Sequence, residues 1–83
     1  MRVHLRLAEP FWRAVGQRDV DLDLEPGSRV DDLLTLLKAR YPALGGELEA
    51  AQPHIFVGEA EATPETALSE SDQVHLIWPV AGG

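Results

Sequence analysis

The residue types able to do chemistry are few in this sequence. It has no cysteine, which removes thiol nucleophiles, disulfide frameworks and Cys-based zinc sites together. Its three histidines, His4, His54 and His75, stand 50 and 21 residues apart, unlike the i, i+4 and similarly short spacings of metal sites. No serine sits in Gly-x-Ser-x-Gly, and Gly45-Gly46 is not followed by the Lys-Ser/Thr of a phosphate loop, so neither hydroxyl catalysis nor nucleotide cradling is supported. The informative stretch is the last one. Ala81-Gly82-Gly83 has no large side chain, is free to lie extended, and fits a channel that any bulkier residue would block. The reacting group would be the backbone carboxylate of Gly83. An α-carboxylate is ionised at neutral pH, with a pKa of about 3.3 to 3.7, and is a poor electrophile. Its chemistry therefore needs outside activation, for example as an acyl-adenylate made by a partner with ATP. On the two glycines alone, a frayed terminus is the plainer reading.

The elements that would position this end can be read from periodicity. Arg2, His4 and Arg6 alternate with Val3, Leu5 and Leu7, and Asp19, Asp21, Asp23 and Glu25 alternate with Val20, Leu22 and Leu24. A period of two predicts two strands, each with one buried face. Paired antiparallel with Arg6 opposite Asp19 or Asp21, they set bases across from acids, each pair contributing roughly 0.2 to 1 kcal/mol, whereas a one-residue slip would turn the apolar set outward. The connection from Ala8 to Arg18, with Pro10, Phe11, Trp12 and Gly16, is predicted to be a structured loop. Phe11 is expected to close the end of the core, and Trp12 is a candidate contact for a partner.

Pro26-Gly27 turns the chain, and Ser28 with Asp31 three residues later predicts a helix start resembling a capping box. Val30, Leu33, Leu34 and Leu37 then form one apolar stripe, with Asp31 and Asp32 at the positive helix end and Lys38 and Arg40 at the negative end. Pro42 stops this helix. Residues 43–52 fit a short helix or a packed loop equally well, since Gly45 and Gly46 weaken the helical pattern. Ile55, Phe56 and Val57 predict a short strand ended by Gly58, residues 59–65 a loop, and Val74, Leu76 and Trp78, alternating with His75 and Ile77, a last strand. Strand, strand, helix, short strand, strand in 83 residues predicts an α+β domain, a mixed sheet on one main helix. Residues 1–83 are expected to form a single domain, with 79–83 as a flexible tail.

Size and charge narrow the function classes. At this length there is little room for an enclosed catalytic pocket beside the core. No apolar run approaches the roughly 20 residues of a membrane helix, and the first residues do not form a signal peptide. A cytoplasmic protein without membrane attachment is expected. The net charge is −7, and its distribution is uneven. Residues 1–41 hold all seven bases and seven acids, while residues 42–83 hold seven acids and no Lys or Arg. That half would repel a nucleic-acid backbone and attract a basic protein surface; it equally serves solubility.

The stretch Asp72-Gln73-Val74-His75-Leu76-Ile77-Trp78-Pro79-Val80-Ala81-Gly82-Gly83 resembles the C-terminus of the small subunit of molybdopterin synthase, a β-grasp, ubiquitin-like sulfur carrier. The resemblance extends to Gly16 before the second strand, to Pro26-Gly27-Ser28-Arg29-Val30 leading into a Leu-rich helix, and to Tyr41-Pro42 after it. It implies a non-catalytic sulfur donor for molybdenum cofactor biosynthesis. A ubiquitin-activating-type adenylating enzyme, using ATP, would activate Gly83, and sulfur would replace AMP to leave a terminal thiocarboxylate. Val80, Ala81 and Gly82 would thread into the large synthase subunit, with Trp78, Pro79 and Trp12 at the partner interface. No cofactor would be bound stably. Departures are Trp78 in place of the family's first proline, Ser69-Glu70-Ser71-Asp72 in place of an Asp-Gly-Asp turn, Val57-Gly58-Glu59 without Asn-Gly, and Pro10 and Trp12 in a segment usually charged and Leu-containing. A carrier for thiamine or tRNA thiolation, a ubiquitin-like modifier conjugated through Gly83, and a β-grasp binding module with an inert tail are the competing readings.

Overall fold

The computed structural model describes residues 1–9, 11–50 and 53–77. Its elements in chain order are β1 (Arg2–Leu7), α1 (Phe11–Val15), β2 (Asp19–Asp23), α2 (Val30–Arg40), α3 (Pro42–Ala50), β3 (His54–Val57), β4 (Ala60–Glu61) and β5 (Gln73–Ile77). The five strands form one mixed sheet in the order β2-β1-β5-β3-β4, as expected of a β-grasp fold.

The strands β1, β2 and β5 obey the period of two. Val3, Leu5 and Leu7 of β1, Val20 and Leu22 of β2, Ile55 of β3 and Val74 and Leu76 of β5 turn inward onto Val30, Leu33 and Leu37 of α2, Leu44 and Leu48 of α3, and Phe11. Antiparallel pairing sets Arg2 across from Asp23, His4 from Asp21 and Arg6 from Asp19, one of the two registers that opposite charge selects. The last strand lies beside the first, parallel to it, with Arg6 opposite His75 and Leu7 opposite Leu76.

Three local readings need correction. The loop after β1 contains a short helix, α1: Trp12 N–H donates to the Ala8 carbonyl, and Gly16, at φ +94°, ends the turn by donating to the Trp12 carbonyl at 2.7 Å. The cap of α2 is shifted by one residue. Arg29 occupies the N-cap position and its N–H donates to the Asp32 carboxylate at 2.8 Å, while the Ser28 hydroxyl donates to the Glu25 carbonyl within the Pro26-Gly27 turn. Two further N–H groups at this helix start, on Val30 and Asp31, donate to the carbonyls of Thr66 and Pro64, so long-range backbone contacts do what a side-chain cap usually does. Within the stretch expected to be loop, Ala60–Glu61 instead pairs with β3, with Val57 opposite Ala60 and Phe56 opposite Glu61; Gly58 at φ +63° permits the two-residue turn between them. Of the segment left open between helix and loop, Pro42–Ala50 is helix, and 51–52 lie outside the described residues, as does Pro10.

Candidate functional site

The described chain ends at Ile77, the last residue of β5, in the middle of the sheet. The expected tail and interface residues Trp78, Pro79, Val80, Ala81, Gly82 and Gly83 lie outside the described residues. What the fold positions is therefore the root of that segment and the surface around it.

Because the core packs on one face only, the other face of the sheet is turned to solvent. Its β2–β1 side is a ladder of opposite charges. Arg2 meets Asp23 at 3.2 Å, Arg6 meets Asp19 at 3.1 Å, and His4 pairs with Asp21 through Nδ1. The Arg2 hydrogen bond, reinforced by its charge, holds the Asp23 carboxyl below the usual carboxylate range, and the Arg2 guanidinium is raised in return. At the other side, His54 Nδ1 lies 3.2 Å from Glu61.

Between these two charged margins runs a strip with neither carboxylate nor guanidinium. Gln73, His75 and Ile77 of β5 share this face, and the register places Phe56 of β3 beside His75 and His54 beside Ile77. Ile77, 39% exposed, is the large hydrophobic residue left most open among the described residues. All three histidines thus fall on adjacent strands of one face, as their alternation with buried residues implies. Yet no group of three metal-capable side chains forms among the described residues.

At the end of this strip, where β5 meets the β1–α1 connection, a cleft of about 440 Å³ is lined by Arg6, Glu9, Trp12, Arg18, His75 and Ile77 among others. Phe11 is fully buried, as expected, and anchors α1. Trp12, the residue left as a candidate contact, packs partly on the core and faces this cleft. The Arg18 guanidinium carbon lies 5.0 Å from the centre of the Trp12 ring and that of Arg13 5.5 Å. Sequence reasoning named Trp12 but missed Arg18, His75, Phe56 and Ile77. The alternation around Val74 and Leu76 already placed His75 and Ile77 outward; Arg18 is one step beyond the last rung of the charge ladder.

The described residues thus present an exposed sheet face whose uncharged strip ends in an open cleft. Among the described residues, no buried side-chain nitrogen or oxygen lacks a hydrogen-bond partner, and no helix is long and apolar enough to cross a membrane.

Comparisons with known proteins agree with this geometry. The chain is 33% identical, over the full length of both, to small archaeal modifier protein 3 of Haloferax volcanii. The crystal structure of small archaeal modifier protein 1 from the same organism superposes with a TM-score of 0.87 at 22% identity, again over the whole of both chains. In a protein–protein complex of subunits 1 and 2 of the molybdopterin-converting factor from Helicobacter pylori, one chain matches with a TM-score of 0.71 at 20% identity, covering all of each. These two structures establish the β-grasp fold. The ThiS family matches residues 6–83, and the chain, on that match and its curated relative, belongs to the ThiS family.

Proposed function

We propose that this chain is a cytoplasmic sulfur carrier for molybdopterin synthesis. The Gly83 carboxylate attacks the α-phosphorus of ATP on an adenylating partner, giving an acyl-adenylate and pyrophosphate. A hydrosulfide-level nucleophile then adds to the acyl carbon, the C–S bond forms, and AMP leaves with the electron pair of the C–O bond. The product is a thiocarboxylate at Gly83. Its sulfur passes to a pterin precursor in the active site of a large synthase subunit, which Val80, Ala81 and Gly82 enter. Trp78, Pro79, Trp12 and the uncharged strip around Ile77 bear on the partners. ATP is held by the adenylating enzyme and not by this chain.

The observation that carries this reading is the family match, which runs through the Val80-Ala81-Gly82-Gly83 ending. The uncharged strip of β5, the strand that precedes that ending in sequence, supports it. So does the two-subunit complex in which a protein of this fold is found. The test is intact mass after incubation with ATP, an adenylating enzyme and a sulfur source. A gain of about 16 Da, sulfur for oxygen, is expected, and deletion of Gly83 should abolish it without lowering thermal stability. No gain where a known carrier responds would refute the reading.

The relative named as a modifier protein favours a second reading, conjugation of Gly83 to lysines of other proteins. Lys38 is the sole lysine of this chain and is exposed, so chains of linked copies on lysine would run through Lys38 alone. Isopeptide adducts of Gly83 recovered from cells would decide for this reading.

A further inference from the structure

We infer that the cleft between Trp12 and Arg18 receives an acidic segment of the adenylating partner, and that Arg18 is the residue that selects it. This rests on the proposed activation of Gly83 by such an enzyme and adds the chemistry by which the enzyme recognises the chain.

The first ground is position. The cleft contains Ile77, the residue immediately before 78–83, so a protein that takes hold of that segment at its root lies against the cleft. It is continuous with the uncharged strip of His75 and Phe56, and the two make one surface.

The second is a local charge excess on a chain that is strongly acidic. In the cleft and its immediate contacts, Arg6 is spent on Asp19 at 3.1 Å and Arg13 on Glu9 at 3.2 Å. Arg18 has no carboxylate within ion-pair distance among the described residues; its neighbour is the Trp12 ring. The leftover charge is therefore Arg18 itself. A guanidinium carries five N–H donors in a rigid fork suited to a carboxylate, and contact with an aromatic ring does not use up that fork.

The third ground is preorganisation. The Arg18 carbonyl accepts from the Leu7 N–H at 2.8 Å, and the Ala8 N–H donates to Leu76 at 3.0 Å. Both walls of the cleft are thus pinned to the central strands. Trp12 is held by α1, whose Phe11 is buried in the core. Ordering the guanidinium over the indole before binding reduces the side-chain entropy lost on docking. An acidic partner would be repelled by most of this surface and attracted here, which fixes where and in what orientation it lands.

The test uses the full-length chain and the purified adenylating enzyme of the same organism. Binding is titrated without ATP, and ATP–pyrophosphate exchange is measured separately. Arg18→Glu is expected to weaken binding and raise KM by at least about tenfold with kcat unchanged, and Arg18→Lys to recover part of the loss. The difference should shrink at about 1 M salt, where screening acts over about 3 Å. Arg29→Glu changes net charge equally but sits at the N-cap of α2, beyond the far end of β2; it should leave KM within about twofold. Thermal unfolding of each variant separates docking from folding. Wild type binding no more tightly than Arg18→Glu, or Arg29→Glu weakening it equally, overturns the inference. Absence of exchange by wild type despite tight, Arg18-dependent binding would instead sink the proposed activation and leave the docking assignment standing.

Discussion

Leu76 and Ile77 are adjacent on β5 and point to opposite faces, so truncating each should have opposite consequences. Leu76 is fully buried, and Leu76→Ala is expected to cost about 3 to 5 kcal/mol of folding stability, the lost transfer energy plus a cavity. Ile77 keeps 39% of its surface in water. Truncation to Ala gives up part of a packed side chain in the free protein, about 1 kcal/mol. Its larger effect should appear with a partner present. If docking covers the exposed part, the aliphatic surface removed by Ile77→Ala is roughly 50 Å². At about 25 cal/mol per Å² that is near 1.2 kcal/mol, or about eightfold in KM. Urea unfolding supplies the first quantity and ATP–pyrophosphate exchange with the adenylating enzyme the second. Ile77→Ala with KM inside twofold of wild type, and a stability loss matching that of Leu76→Ala, would show that this face does not meet the enzyme.

Two further outcomes follow from the packing and the charge ladder. Phe11→Ala empties a fully buried site and should lower stability by about 3 to 5 kcal/mol; a loss below about 1 kcal/mol in urea unfolding would mean that α1 is not anchored on the core. Asp23 titrates below the ordinary carboxylate range because Arg2 bonds to its charged form. A folded-state pKa lowered in this way gives stabilisation that is complete above the unfolded value, about 3.9, and is lost as pH falls through the folded one. Arg2→Gln should therefore move the Asp23 midpoint upward in a side-chain carboxyl NMR titration while hardly changing the melting temperature at neutral pH, since the pair is exposed. An unmoved midpoint would refute the pairing.

The parts of the fold that could be read beforehand are those with local redundancy. The pairing of β1 with β2 was written twice, in the alternation of Val3, Leu5 and Leu7 with polar residues and in the facing of bases and acids; these left Arg6 opposite Asp19 or Asp21, and the fold takes Asp19. The stripe on α2 had four apolar positions and charges at both ends. The missed features are short or depend on distant chain. α1 is too brief for a helical period and becomes stable only because Phe11 enters the core. β4 has two residues, too few for any alternation. The capping frame of α2 moved by one because the carbonyls of Pro64 and Thr66, more than thirty residues on, take its free N–H groups. The candidate site was legible in the same uneven way. Trp12 was named from its place in the β1–β2 connection and lines the cleft; the diglycine was named by its context and lies outside the described residues. The cleft that joins Arg18 and Ile77 takes shape only with β5 beside β1, a parallel pairing that no local pattern encodes.

The arrangement also accounts for why one fold serves proteins described both as modifiers and as converting-factor subunits. Stability here resides on one side of the sheet, in buried aliphatic residues and Phe11. Under the proposed docking, recognition falls on exposed or half-buried residues of the other face and of the cleft at its end. A substitution such as Arg18→Glu should cost little in folding because the side chain is exposed, whereas Leu5→Asp would leave a charge unpaired in the core. Partner choice can thus change residue by residue while the body that holds β5 in place stays intact. Fold likeness alone is consequently silent about the client, and the residues that distinguish one client from another should be sought at Trp12, Arg18, His75 and Ile77 rather than in the core.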